Sequence, residues 1–206
     1  MKRLIRFLVL SFIIFQSATA QSLVTAEIQK NSSLTINGST NILSFKIYQD
    51  GDKLCKNKFT VATTQNQNKI TVTQNQLSVI VKNFVSTNVM ALRDFFKLLK
   101  SDMSPTLQVQ LSSLDLHPIN QNGKVYNGQA IVNITITGKT KQYSVPISFN
   151  NNGNVYIVDG CKKISIRDFG LTPETKMMGM IKVSEWIDVD FHIICKISSN
   201  RDVAEL

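Results

Sequence analysis

The stretch Ile187-Asp188-Val189-Asp190-Phe191-His192-Ile193-Ile194-Cys195-Lys196-Ile197 sets an apolar side chain at every second position. Successive side chains of a strand point to opposite faces. Ile187, Val189, Phe191, Ile193, Cys195 and Ile197 therefore form a long inner face, and Asp188, Asp190, His192 and Lys196 an outer one. The same period recurs upstream, in Leu34 and Ile36, in Leu43, Phe45 and Ile47, and in Leu107, Val109 and Leu111. Val132, Ile134 and Ile136 repeat it, as do Val145, Ile147 and Phe149. Turn signals separate the runs: Asp50-Gly51-Asp52, Gln121-Asn122-Gly123, Thr137-Gly138-Lys139 and Asn150-Asn151-Asn152-Gly153. Asn-Gly tolerates positive φ, which suits hairpins. The Asn/Gln-rich segment from Gln65 to Gln76 looks like low complexity, but Ile70, Val72, Leu77 and Val79 predict a polar-surfaced strand pair around it.

One segment breaks the alternation. From Asn88 to Lys100, Met90, Phe95, Leu98 and Leu99 share a face, and Arg93, Asp94 and Lys97 lie on others. That pattern predicts an amphipathic helix, N-capped by Asn88 and ended before Pro105. A shorter helical turn is expected at Pro173 to Met178. Many antiparallel strands around one helix make the fold all-β, a closed or nearly closed barrel. A sandwich would share the same period.

The first twenty residues stand apart from this pattern. Lys2, Arg3 and Arg6 precede an apolar run from Phe7 to Phe15, and Ala18-Thr19-Ala20 is a small-x-small cleavage sequence. The run spans about 14 Å as a helix, against about 30 Å of bilayer hydrocarbon, so a cleaved signal peptide is expected over 1–20. Residues 21–206 then form a single domain. An exported protein is expected, periplasmic or, alternatively, secreted. The whole chain of 206 residues carries +9, and 20 Lys and Arg against 14 Asp and Glu leave +6 beyond residue 20. These charges are scattered along the sequence with no basic run, which argues against nucleic acid and leaves peripheral contact with an anionic membrane surface as an expectation.

Three Cys in an oxidising compartment allow one bridge. Cys195 is in phase with the inner face; Cys55 and Cys161 follow turn-like sequences, so Cys55–Cys161 is the expected disulfide. Two His and three Cys supply no metal set, and no nucleophile elbow, zinc-protease or phosphate-loop motif occurs. Asp188 and Asp190 form a carboxylate pair on one strand face, which reads as solvated surface. No enzymatic activity and no cofactor are expected. Small barrels either fill their interior with side chains or hold one apolar ligand, and composition alone does not separate the two.

The order of motifs resembles the YceI-like family of exported lipid-binding proteins. Ile36-Asn37-Gly38-Ser39-Thr40-Asn41 with Phe45 resembles its first strand. Leu98-Leu99-Lys100-Ser101-Asp102 before Pro105-Thr106-Leu107-Gln108-Val109 resembles its helix-to-strand joint. Ile134-Thr135-Ile136-Thr137-Gly138-Lys139-Thr140-Lys141, Asp168-Phe169-Gly170-Leu171 and Gly179-Met180-Ile181-Lys182-Val183 complete the set. The resemblance implies an extended, lipocalin-like antiparallel β-barrel of about eight strands with one amphipathic helix. It also implies an apolar cavity for a polyisoprenoid or other long-chain lipid. The lining expected from the inner faces is Phe45, Val109, Leu111, Ile134, Ile136, Phe149 and Phe191, with Phe95 and Phe96 of the helix closing the mouth. The alternative is a filled barrel acting as an interaction module for a protein or an anionic surface. Oligomeric state stays open, a homodimer included.

Overall fold

The computed structural model describes residues 21–54, 58–66, 68–119 and 124–199. The signal-like segment, Cys55 and the Gln121-Asn122-Gly123 turn lie outside them.

Thirteen strands occur among the described residues. In chain order they begin with β1 (Gln21–Ile28), β2 (Ser33–Ser39), β3 (Ser44–Asp50), β4 (Lys58–Asn66), β5 (Lys69–Thr73) and β6 (Leu77–Ile80). Four long strands follow, β7 (Thr106–Pro118), β8 (Val125–Ile136), β9 (Lys139–Asn152) and β10 (Val155–Ser165). The last are β11 (Thr175–Lys176), β12 (Ile181–Lys182) and β13 (Trp186–Ser199). The α-helices among the described residues are a single-turn helix, α1 (Gly51–Leu54), and the longer α2 (Val89–Leu98).

The sheet closes on itself. Its order runs β1-β4-β5-β7-β8-β9-β10-β13, and β13 pairs back with β1 through Val24↔Ser199 to Ile28↔Cys195. That is a ring of eight antiparallel strands, the lipocalin-like barrel that the resemblance implies. The other half of the same β13 edge pairs with β2 through Asp188↔Asn37 to His192↔Ser33, and β2 pairs with β3. On β7 the division is similar: β5 takes Ser113–Asp115 and β6 takes Thr106–Val109. The gap between β3 and β6 is spanned by the chain after β6, where Tyr48 and Val85 exchange backbone hydrogen bonds of 2.9 and 2.8 Å. The barrel is thus extended. Its base uses β1, β4 and β5, and its opposite end uses β2, β3 and β6.

Two expectations need correction. β5 and β6 are not partners; they lie end to end along β7. The joint between them is the buried Asn75, whose amide donates to Leu111 O and accepts from Leu111 N, both at 2.7 Å. A side chain here does the work of a ladder residue. The bulge on β7 between Leu111 and Ser113 starts at the same point and shifts the inward set to Leu114 and Leu116. From Pro173 to Met178 the expected helical turn is reduced to a kinked 3-10 turn at Met177–Gly179. β11 and β12 form a small hairpin there, and its tip is Met177-Met178-Gly179-Met180.

The turn chemistry is as the residues suggest at Thr137-Gly138, where both residues have positive φ (48° and 80°) and join β8 to β9. Asp50-Gly51-Asp52 instead opens α1, and a Cβ on Gly51 would stand 1.7 Å from Lys30 O. The core forms two contiguous clusters. One surrounds the mouth half, with Ile36, Ile47, Leu99, Leu107, Ile136 and Phe169. The other fills the barrel beneath it, with Leu116, Ala130, Val145 and Ile147 against Leu111, Phe149 and Phe191.

Candidate functional site

An apolar cavity of about 230 Å³ lies inside the mouth half of the barrel. Its wall is built strand by strand from inward side chains: Leu34 and Ile36 of β2, Phe45 and Ile47 of β3, Leu107 and Val109 of β7. Ile134 and Ile136 of β8, Ile164 of β10, and Ile187 and Val189 of β13 complete it. The period of two aims these residues together, because closure turns every inner face toward one axis.

One wall position has a clear steric origin. Gly38 pairs with Phe45, and a Cβ on Gly38 would lie 2.5 Å from the Phe45 ring. The ring of Phe45 therefore lies across the bare backbone of β2 and faces the cavity. The Gly38–Phe45 motif seen in the sequence is a packing device.

The cap over the cavity is α2. Asn88 occupies the N-cap, and its Oδ1 accepts from Ala91 N at 2.9 Å. Phe95 and Leu98 face the cavity, and Phe95 packs edge-on to the buried Phe84 with ring centroids 5.3 Å apart. No residue of α2 is fully buried, so the helix rests on the barrel without entering it.

Three elements frame the mouth. They are the β2–β3 turn with Thr40, Ile42 and Leu43, the first turn of α2 with Asn88 and Met90, and the β11–β12 hairpin with Glu174, Ile181 and Val183. The hairpin is stitched to the turn. Asn41 donates to Met180 O and accepts from Lys182 N, each at 2.9 Å, and Thr40 bridges to Val183. On the other side the Lys97 ammonium reaches Glu174 at 3.0 Å. Between the upper ends of β9 and β10, Tyr143 packs against Phe169 and donates to Asp168 at 2.8 Å. Burial, reinforced by that hydrogen bond to a carboxylate, pushes the Tyr143 hydroxyl far above its usual pKa, so it stays a neutral donor.

Of the nine expected lining residues, Phe45, Phe95, Val109, Ile134 and Ile136 border the cavity. Leu111, Phe149 and Phe191 belong to the packed cluster beneath it, and Phe96 packs against the core beside it. Alternation identified their inward face but carries no information on depth along the barrel axis. Leu171, Ile166, Val183 and the β2–β3 turn were missed, because they sit in irregular segments with no period.

The outer face carries the remaining polar chemistry. His192 Nδ1 lies 2.6 Å from Asp159, and Asn37 donates to Asp190 at 2.5 Å. Cys161 is a free, exposed thiol in the middle of β10, not near a loop. Its hydrogen bond to Asp190 is the main reason its pKa is pushed up to about 11. Cys55, the other half of the expected pair, lies outside the described residues. Cys195 faces inward, is half-buried, and is held at about 11 chiefly by burial. Among the described residues no group of three or more His, Cys, Asp or Glu is placed to hold a metal ion.

A family model, the YceI-like domain, matches residues 15–195. The chain belongs to the YceI-like family. No curated protein matches it. Solved structures that share this fold include two of low sequence identity. One is BcnA of Burkholderia cenocepacia, with a TM-score of 0.54 and 19% identity over 79% of this chain and 95% of that one. The other is a polyisoprenoid-binding domain from Saccharophagus degradans implicated in plant cell wall breakdown, with a TM-score of 0.58 and 9% identity over 84% and 98% of the two chains.

Proposed function

We propose that this YceI-like chain is an exported carrier that sequesters a long-chain apolar lipid, polyisoprenoid-like in shape, in the mouth-half cavity. The observation that carries this reading is the wall itself: an aliphatic and aromatic tube open at one end of a closed barrel. The cavity volume of about 230 Å³ lies below the roughly 300–1,000 Å³ of ordinary small-molecule pockets. Binding then needs no charged anchor. Each sequestered CH₂ contributes about 0.8 kcal/mol, so a dozen carbons suffice for tight binding. The family membership supports lipid binding in general, and the S. degradans neighbour is named for polyisoprenoid binding. Export is supported by the signal-like first twenty residues. Among the described residues, no helix is long and apolar enough to cross a membrane.

Mass spectrometry of an organic extract from natively purified protein tests the reading. A single stoichiometric lipid is expected. An empty extract, with no uptake of added isoprenoid, would sink it. Ile134→Trp places an indole in the cavity wall and is expected to lower uptake about tenfold or more, with an unchanged β-sheet circular dichroism spectrum. Equal lipid content in the two proteins would remove Ile134 from the lining.

A further inference from the structure

We propose that the mouth end of the barrel docks on an anionic phospholipid surface, with the β11–β12 hairpin tip as its inserting element. This inference rests on the lipid-carrier reading and specifies how the cavity meets its lipid.

The first observation is where the exposed apolar side chains stand. Ile42 in the β2–β3 turn, Val89 and Met90 in the first turn of α2, and Met177, Met178 and Met180 at the hairpin tip are all exposed. The three elements that bear them are those that frame the cavity mouth. Loop tips are ordinarily polar. Here Met177 and Met178 even occupy the left-handed region, with φ of 51° and 55°, where Gly or Asn is usual. Met178 is fully exposed, and nothing among the described residues covers it. An apolar rim continuous with an apolar cavity lets a lipid chain pass from bilayer to barrel without crossing water.

The second observation is charge. Segments 40–46, 82–105, 137–141 and 166–186 make up the mouth end, and they hold ten Lys and Arg against five Asp and Glu, a net +5. The rest of residues 21–206 holds ten against nine, a net +1. The basic residues looked scattered along the chain; folding gathers their excess at one end. Several of the acids there are already paired, Glu174 with Lys97, Asp102 with Lys82 and Glu185 with Arg167. Lys182 flanks the methionine tip on the solvent side. Apolar residues at an apex with lysines behind them match an interface in which side chains enter the acyl boundary and ammonium groups meet headgroup phosphates. The same charge disfavours a neutral surface as the partner.

Flotation of the purified protein with vesicles tests this. One vesicle set is phosphatidylcholine alone, and the other is equal parts phosphatidylcholine and phosphatidylglycerol. Uptake of farnesol from ethanol into the protein, without vesicles, is measured in parallel. Binding to the anionic vesicles is expected to exceed binding to neutral ones by about tenfold or more and to fall as salt rises. Met178→Glu is expected to cut anionic-vesicle binding by about tenfold while leaving farnesol uptake unchanged. Leu23→Glu changes an exposed apolar residue on β1, at the base, and is expected to leave both unchanged. Vesicle binding that ignores Met178→Glu, or that Leu23→Glu lowers equally, overturns the proposal. No vesicle binding with intact farnesol uptake overturns it too, assigns the rim to a protein partner, and leaves the carrier reading standing. Vesicle binding with no farnesol uptake removes the carrier reading on which the proposal rests.

Discussion

Gly38 and Gly160 play one role on different strands. Gly160 pairs with Phe191, and a Cβ there would lie 2.4 Å from that ring, as a Cβ on Gly38 would lie 2.5 Å from Phe45. Each bare backbone lets an aromatic ring cross to the neighbouring strand, one facing the cavity and one sealing the cluster beneath it. Asp159-Gly160 looks like a turn in sequence for the same reason that it works in a strand: glycine signals close approach as often as reversal. Gly160→Ala is expected to cost about 1–3 kcal/mol, read from the midpoint of urea unfolding. Adding Phe191→Leu should recover part of that loss, and strictly additive costs would show that the ring and the glycine are not coupled. The thiols give a second residue-scale test. Cys161 is exposed yet held protonated by Asp190, so iodoacetamide labelling should be slow at pH 8 and rise toward pH 11. Asp190→Asn should lower that pKa and speed labelling near neutral pH; an unchanged rate would remove Asp190 as the cause. Cys195 shifts upward through burial, so the folded thiol keeps its proton where the unfolded one loses it. Its contribution to stability is complete below the ordinary thiol pKa of 9.0 and declines as pH rises from there through about 11.

At the level of elements, long strands were readable and joints were not. β8, β9 and β13 keep one period along their length, β7 keeps it as far as the bulge after Leu111, and the inward faces there follow from alternation alone. α2 was equally plain, from a polar cap and a face of apolar residues at helical spacing. The β5–β6 segment was misread because its continuity depends on one side chain. Asn75 stands in for a strand residue against Leu111, and no local pattern announces a long-range pair of that kind. Asn75→Ala would leave the Leu111 amide and carbonyl without their partner in a part-buried position. The expected loss is about 1–3 kcal/mol in denaturant unfolding, well above that of an exposed substitution. Asn88→Ala removes the cap of α2 and should cost about 1 kcal/mol or loosen the helix locally. Since Phe95 and Leu98 close the cavity from that helix, faster lipid release should accompany it. Loss of stability with unchanged release would mean that α2 holds its place through Phe84 and Phe95 alone.

For the whole molecule, the barrel is two rings that share β7, β8, β9, β10 and β13. The base ring is continuous, and the cluster inside it is packed with Leu116, Val145, Ile147, Phe149 and Phe191. The mouth ring is closed by a single backbone bridge at Tyr48 and Val85, by the two-residue strands β11 and β12, and by a helix with no fully buried residue. Closure itself was expected from the number of strands and the single helix. The unequal halves were not, because the sequence does not reveal which half of a β13 edge each N-terminal strand will take. This asymmetry predicts a gradient of amide exchange. Backbone groups of β8, β9 and β10 should open only with global unfolding, and those of α2, the β2–β3 turn and the β11–β12 hairpin should open locally at much lower free energy. A lipid seated in the cavity touches the mouth elements, so its binding should slow exchange there and leave the base nearly unchanged. Hydrogen–deuterium exchange with and without farnesol reads both effects in one experiment. Protection spread evenly over the barrel would indicate that ligand merely raises global stability. Protection confined to the base would place the cargo among Phe149, Phe191 and Tyr126, which would have to swing apart to admit it. Protection at the mouth alone assigns loading to the less stable ring, whose looser closure is then what lets a chain enter a barrel that is otherwise sealed.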